Sequence, residues 1–199
     1  MFKTLTILIF SFLWALSSMM SQSIDRSEEI KAMLNERDAE IKELLGPSGS
    51  EYTQEQRDEL KNIINDVIYY RAMAQFALGR TYDEISNEQR EEFVSLFATI
   101  IRDNSLNRLD IYRAEVSYTS IRVDGDQAFV ATIAELDDVR TTVDYQMRSI
   151  DGNWMITDMT IDSVSTAESY NRQFQSIIRQ RGFDALLQSL RRRAARASS

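Results

Sequence analysis

Apolar and polar residues alternate along the stretch from Arg140 to Tyr170, which predicts a β-hairpin followed at once by a helix. In the first arm Val143, Tyr145 and Met147 alternate with polar residues, and this period of two is typical of a strand with one buried face. The sequence Asp151-Gly152-Asn153 is the predicted turn, because Gly and Asn tolerate the positive φ of tight hairpins. We regard this hairpin as the centre of the fold.

The second arm of the hairpin changes parity part of the way along. Trp154 and Ile156 share one parity, whereas Met159 and Ile161 share the other. A bulge near Thr157 and the residue after it would turn all four side chains toward one interior. The pattern therefore predicts a curved sheet wrapped around an apolar volume.

A period of two also describes the chain from Arg113 to the hairpin. Two apolar pairs of opposite parity come first, Val116 with Tyr118 and Ile121 with Val123, which predicts a second bulge. Turns are expected at residues 124–126 and 137–138, on either side of a strand from Gln127 to Leu136. The expected sheet is therefore antiparallel and four-stranded.

The rest of the chain has the period of helices. Ser27 to Leu45 carries one apolar stripe and ends at Gly46-Pro47. Capping boxes begin three more helices, at Thr53, Ser86 and Ser165. The helix from Thr53 is expected to continue to Gly79, and a last short helix after Gly182 is expected to fray into a basic tail from about Arg191.

Composition limits the chemistry that the 199-residue chain can perform. It has no Cys and no His, so disulfides, thiolate nucleophiles, the common zinc sites and His-dependent hydrolases are disfavoured. No phosphate loop, metal-ligand spacing or nucleophile elbow is visible, and we expect no metal, no catalytic residue and no cofactor. The net charge of -8 argues against nucleic acid as a partner.

The first 23 residues have the layout of a secretory signal peptide, with Lys3 ahead of an apolar run from Leu5 to Leu16. Cleavage is expected after Ser17 or Ser23, and an uncleaved anchor is the alternative. Residues 24–199 are then a single exported domain, because the chain offers no obvious linker between domains. The expected location is the periplasm.

Three sequence blocks, at residues 72–97, 143–174 and 181–193, resemble the MlaC or toluene-tolerance auxiliary component family of periplasmic phospholipid-transport proteins. Ala77-Leu78-Gly79 matches the family pattern, as do Gln89 and Phe93 on the next helix. Tyr82 stands where the family has Trp, and Ser163 where it usually has Gly. Further along, the matching residues are Tyr145, Trp154, Val164, Ser165, Tyr170 and Phe174.

The resemblance implies a non-enzymatic carrier with an α+β fold similar to nuclear-transport-factor-2-like domains, in which helices and a curved sheet enclose an apolar cavity. Its cargo would be phospholipid. Its partners would be an outer-membrane lipoprotein complex and an inner-membrane ABC transporter complex with a membrane-anchored substrate-binding component. The residues expected to bind lipid are Ile68, Phe76, Phe93, Phe97, Val116, Tyr118, Val130, Val143, Tyr145, Met147, Trp154 and Phe174.

Two other hypotheses remain open. One is an enzyme resembling ketosteroid isomerase, with Asp144 or Asp158 as the base and Tyr145 as the donor to an oxyanion. The other is a ligand-free adaptor whose core is filled with side chains, because aromatic residues on helical stripes more often form a core than a ligand site. The basic residues near the C-terminus could also dock an acidic partner.

Overall fold

The computed structural model describes residues 26–105 and 109–197, and the expected signal peptide lies outside them. Helix α1 covers residues 26–45. It is followed by α2 (Gln54–Asp66), α3 (Tyr70–Leu78), the single turn α4 (Thr81–Glu84), α5 (Asn87–Ser105) and a 3-10 helix (Leu109–Arg113). Two further helices, α6 (Thr166–Arg181) and α7 (Phe183–Ala197), follow the sheet. The sequence-based interpretation of α1, α5 and α6 is confirmed.

The sheet is antiparallel, and its strands lie in chain order. The strands are β1 (Glu115–Asp124), β2 (Gln127–Leu136), β3 (Val139–Ile150), β4 (Asn153–Ile161) and β5 (Val164–Ser165). The predicted count of four strands was one short. The fifth strand has only two residues, which pair with Thr160 and Ile161, and so short a segment leaves no periodic pattern in the sequence.

Both predicted bulges are present. In the β3–β4 ladder, Met147 pairs with Ile156 and Gln146 pairs with Asp158, so that Thr157 is the extra residue. In the β1–β2 ladder the register shifts between Tyr118 and Ser120. Each bulge restores a common face for apolar residues of opposite parity, which is why the sheet can bury one continuous surface.

The continuous helix expected from Thr53 to Gly79 was wrong, because the chain leaves the helix between α2 and α3. There Ile156 donates its amide proton to the carbonyl of Val67 at 2.7 Å, and Tyr69 donates to the carbonyl of Ile156 at 2.8 Å. Ile68 thereby forms an isolated parallel bridge with Ile156 on β4. This pairing covers the β4 edge at Ile156 and joins the helical layer to it.

Helices α3, α5, α6 and α7 share a core that is rich in aromatic side chains. The rings of Phe93 and Phe97 are stacked at 5.8 Å, and Phe174 meets Phe93 edge-on at 5.7 Å. All three side chains are buried, together with Leu186 and Leu190 of α7. This helix core is filled with side chains and forms one layer of the fold.

The basic segment near the C-terminus is helical and not the frayed tail that its charge suggested. Helix α7 continues to Ala197, and Ala194 is buried in the helix core. Arg191 makes a two-pronged ion pair with Glu92 of α5, with N–O distances of 2.6 and 2.8 Å. Packing of one face therefore extends the helix through a run of arginines, which hydropathy alone did not indicate.

Candidate functional site

One face of the sheet carries most of the apolar strand residues. The pairing places Val130 of β2 beside Tyr145 of β3, and Ala128 beside Met147. It also places Val143 beside Ile161 of β4. Because side chains alternate across a strand, these residues and Val116 and Tyr118 of β1 face the same side. We call this surface the apolar face.

Helix α1 covers one half of the apolar face. Ile30 is buried against Val130, Met147, Trp154 and Ile156. Arg26 of α1 stacks on the ring of Trp154 at 4.7 Å and donates a hydrogen bond to the carbonyl of Gly125. This closed half is thus packed with side chains from α1 and the sheet.

The other half of the apolar face is more open. Val143 is half-buried, and its partner Ile161 is 38% exposed. Neither belongs to the cluster that packs under α1. Val164 on β5 is 55% exposed next to them. This open half, defined by Val116, Val143 and Ile161, therefore presents apolar surface that other side chains cover only in part, with most of the exposure at Ile161.

The open half ends at a groove of about 540 Å³ between the β4–β5 edge and helices α6 and α7. Ile161 and Val164 form its apolar side. Its other lining residues are polar or aromatic: Ser165, Thr166, Ser169, Tyr170, Gln173 and Arg193. A groove that combines apolar side chains with several polar groups and one cation suits an amphipathic ligand.

Asp158 holds the start of helix α6 beside this groove. Its carboxylate accepts a hydrogen bond from the hydroxyl of Ser165 at 2.6 Å and another from the amide of Ala167 at 2.9 Å. Ser165 in turn accepts from the amide of Glu168 at 3.0 Å. The Asp158 carboxylate, a base in the isomerase hypothesis, thus caps a helix, and this occupies both of its oxygens.

Tyrosine side chains line the interior between α1, the 3-10 helix and the sheet. Burial raises the pKa of Tyr112 to about 12, and burial together with nearby Asp38 raises the pKa of Tyr118 to about 12. Burial also raises the pKa of Tyr145 well above its usual range. These phenols are therefore neutral at physiological pH. Their rings suit an apolar interior, and their hydroxyl groups can donate hydrogen bonds at its edge.

The residues expected to bind lipid divide between several parts of the fold. The closed half contains Tyr118, Val130, Tyr145, Met147 and Trp154, and the open half contains Val116 and Val143. The helix core holds Phe93, Phe97 and Phe174, with Ile68 packed against it, whereas Phe76 is 55% exposed. The fold thus brings the predicted residues of the sheet together on one face. The predicted aromatic residues of the helices pack mainly on one another.

Sequence reasoning did not select the residues that line the groove. Ile161 was assigned to a strand and Arg193 to a tail, while Thr166 and Gln173 are polar residues of an amphipathic helix. Two signals were available: the position of Ile161 on the same face as Val143, which follows from the bulge, and the match of Val164, Ser165 and Tyr170 to the family pattern.

The described ranges contain no group of three or more acidic side chains arranged to hold a metal ion. Nor does any helix in those ranges have the length and hydrophobicity needed to cross a membrane. A second concavity, of about 690 Å³, lies where β1 meets the β2–β3 turn. Its lining includes Glu115, Glu135, Asp137 and Asp138, and this acidity is unsuited to a phosphate-bearing ligand.

Helices packed with a curved antiparallel sheet define an α+β protein with an apolar face and an adjoining groove. The sequence model of the MlaC protein family matches residues 24–192. The chain belongs to this family, which confirms the resemblance found in its sequence blocks.

A solved structure has the same fold. It is the phospholipid-binding protein from Ralstonia solanacearum in complex with a phospholipid, with a TM-score of 0.70 and 22% sequence identity. The match covers 85% of this chain and 97% of that one. No curated protein sequence matches the chain significantly. The likeness establishes the α+β architecture, and the nuclear-transport-factor-2-like comparison stays a prediction.

Proposed function

We propose that this protein is a periplasmic carrier that binds phospholipid and moves it between membranes. The observation that carries the proposal is the apolar face, which passes from a packed half under α1 to an open half that ends at the groove. Membership of the MlaC family supports the proposal, as does the similar fold of a protein solved with a phospholipid.

Physical chemistry explains why such a surface suits lipid. Each methylene group that leaves water for an apolar surface contributes about 0.8 kcal/mol, so acyl chains supply most of the affinity. Val143 and Ile161 offer that surface beside the groove. A headgroup can then remain in contact with water, and discrimination between headgroups should be weak.

The residue chemistry supports the enzyme hypothesis less than it supports the carrier hypothesis. The two oxygens of Asp158 are bound to Ser165 and Ala167. The chain contains no His, and the described residues contain no candidate metal cluster. A carrier needs none of these groups, because binding and release require no bond to be made or broken.

The proposed partners follow from family membership. An outer-membrane lipoprotein complex would exchange lipid with the carrier on one side, and an inner-membrane ABC transporter complex with a membrane-anchored binding component on the other. A carrier between them would keep acyl chains out of water during transit.

A transfer assay tests the carrier function. Donor vesicles with a self-quenched fluorescent phospholipid are separated from acceptor vesicles by a membrane that passes protein but not vesicles. We expect fluorescence to appear in the acceptors only when the protein is present. The ligand-free adaptor hypothesis predicts no transfer above the protein-free rate, and that result would overturn the proposal.

A further inference from the structure

The groove at the end of the apolar face is lined by two chemically different sets of residues. Ile161 and Val164 are apolar and are 38% and 55% exposed. The lining also includes Arg193 of α7 and the polar residues Thr166 and Gln173 of α6. An occupant that suits both sets has hydrocarbon next to an anionic group.

Arg193 is available for such an anion. Two arginines on the same helices are already paired, since Arg191 binds Glu92 at 2.6 Å and Arg172 binds Glu168 at 2.8 Å. Arg193 makes no ion pair with any described residue and lines the groove. A guanidinium offers parallel N–H donors whose spacing matches two oxygens of a phosphate.

The charges around the groove allow an anion to bind there. The carboxylate of Asp158 is buried and has both oxygens hydrogen-bonded within the protein. Glu168 is paired with Arg172, and Asp162 accepts a hydrogen bond from the amide of Thr142. Arg196 lies one helical turn beyond Arg193, on the same side of α7, and adds positive potential.

We propose that the groove binds the phosphate of the phospholipid cargo, with Arg193 donating to the phosphate oxygens and Ile161 and Val164 contacting the first part of the acyl chains. This inference rests on the proposed carrier function. Val143 pairs with Ile161, so chains that start at the groove continue along the open half of the apolar face. Because every phospholipid has a phosphate, Arg193 selects phospholipid over neutral lipid and does not distinguish headgroups.

The test compares two fluorescent lipids with identical acyl chains, phosphatidylglycerol and diacylglycerol; only phosphatidylglycerol has a phosphate, as part of its phosphoglycerol headgroup. The variant Arg193→Gln keeps a polar, unbranched side chain, although a shorter one, and removes its charge. Arg192→Gln is the matched control, because Arg192 is the adjacent exposed arginine and is outside the groove lining. Affinities are measured by fluorescence titration, and the fold of each variant is checked by its melting temperature.

The expected result is that Arg193→Gln weakens phosphatidylglycerol binding about five- to tenfold and leaves diacylglycerol binding unchanged. This loss is smaller than that of a buried charge-assisted hydrogen bond, because Arg193 is exposed to solvent. Arg192→Gln should match the wild type for both lipids. A second variant, Thr166→Glu, adds a carboxylate to the groove at the first position of α6 and should also weaken phosphatidylglycerol more than diacylglycerol.

Three outcomes overturn the inference while leaving the carrier function intact. The first is equal binding of phosphatidylglycerol by Arg193→Gln and the wild type. The second is an equal loss of affinity for both lipids in Arg193→Gln, which would mean that Arg193 acts on the acyl chains or the fold. The third is an equal change in affinity for both lipids in Thr166→Glu. Failure of the wild type to bind either lipid would instead contradict the proposed function.

Discussion

Asp158 at the β4 bulge caps helix α6 by accepting the amide proton of Ala167 at 2.9 Å. The bond joins the sheet to the helical layer where the groove begins. Replacing Asp158 with Ala leaves the amide of Ala167 and the hydroxyl of Ser165 without their acceptor, so we expect unfolding free energy to fall by about 1–3 kcal/mol.

The control for this prediction is Asp144→Ala. Asp144 is a half-buried residue of β3 and the other base in the isomerase hypothesis, and no hydrogen bond of its carboxylate is seen among the described residues. Urea denaturation of both variants measures the difference. Equal losses would show that the bond between Asp158 and Ala167 does not stabilise the junction.

Gly79 ends α3 at the Ala-Leu-Gly motif, where α6 satisfies the last carbonyls of the helix. Asn171 donates to the carbonyl of Phe76, and Gln175 donates to that of Leu78. Gly79 has a φ of 55°, and a Cβ there would lie 3.4 Å from Nδ2 of Asn171. We expect Gly79→Ala to destabilise the protein by about 1–2 kcal/mol.

Gly125→Ala is the comparison variant. Gly125 has a similar φ of 58°, and a Cβ added there would meet no other part of the chain within 4 Å. Gly79 combines its φ of 55° with a ψ of -134°, a conformation that residues other than Gly rarely adopt. Thermal unfolding should therefore show a larger loss for Gly79→Ala. If both variants lose the same stability, the backbone conformation of Gly79 adds no strain beyond that of a positive φ.

Because several tyrosines are buried, we expect the free energy of unfolding to fall in alkaline solution. Burial raises the pKa of Tyr70 and Tyr112 to about 12 from an unfolded value of 10.0. Between these values the folded state binds more protons than the unfolded state, so the free energy of unfolding falls as pH rises above 10. Urea unfolding at pH 9 and pH 11 measures the fall.

Tyr112→Phe removes one of these phenols and retains the ring. Its free energy of unfolding should fall less between pH 9 and pH 11 than that of the wild type. A fall of the same size in the variant would mean that Tyr112 does not contribute to the pH dependence.

The two halves of the apolar face should respond differently to a carboxylate. Met147 is 2% exposed in the closed half, so Met147→Asp buries an unpaired charge and should cost about 3 kcal/mol or more. Val143 is half-buried in the open half, so Val143→Asp should remain folded and lose phospholipid binding. Melting temperatures and lipid titrations measure the two effects.

Gln146→Asp is the control for both variants, because Gln146 is exposed on the opposite face of β3. It should change stability by no more than about 0.5 kcal/mol and leave lipid binding intact. Normal lipid binding by a folded Val143→Asp variant would show that the open half does not contact acyl chains.

Local patterns in the sequence predicted the bulges well. The change of parity between Ile156 and Met159 indicated the extra residue at Thr157, because a strand must keep its apolar residues on one face. The break between α2 and α3 could not be predicted in this way. It depends on the hydrogen bonds that join Val67 and Tyr69 to Ile156, which is distant in sequence.

The candidate site was only partly predictable. Alternation placed Val143 and Tyr145 on one face, and the structure shows both there. Periodicity could not tell whether Phe93 lines a cavity or fills a core, because both positions require an apolar residue. Arg193 could not be identified either, since only tertiary packing places that part of α7 beside β5.

The central claim is that the apolar face and its groove hold phospholipid. The most direct test is to purify the protein without detergent, extract it with organic solvent and identify the lipid by mass spectrometry. We predict phospholipid in an amount comparable with that of the protein. Folded protein that contains no phospholipid, and that takes up none from vesicles, would contradict the account.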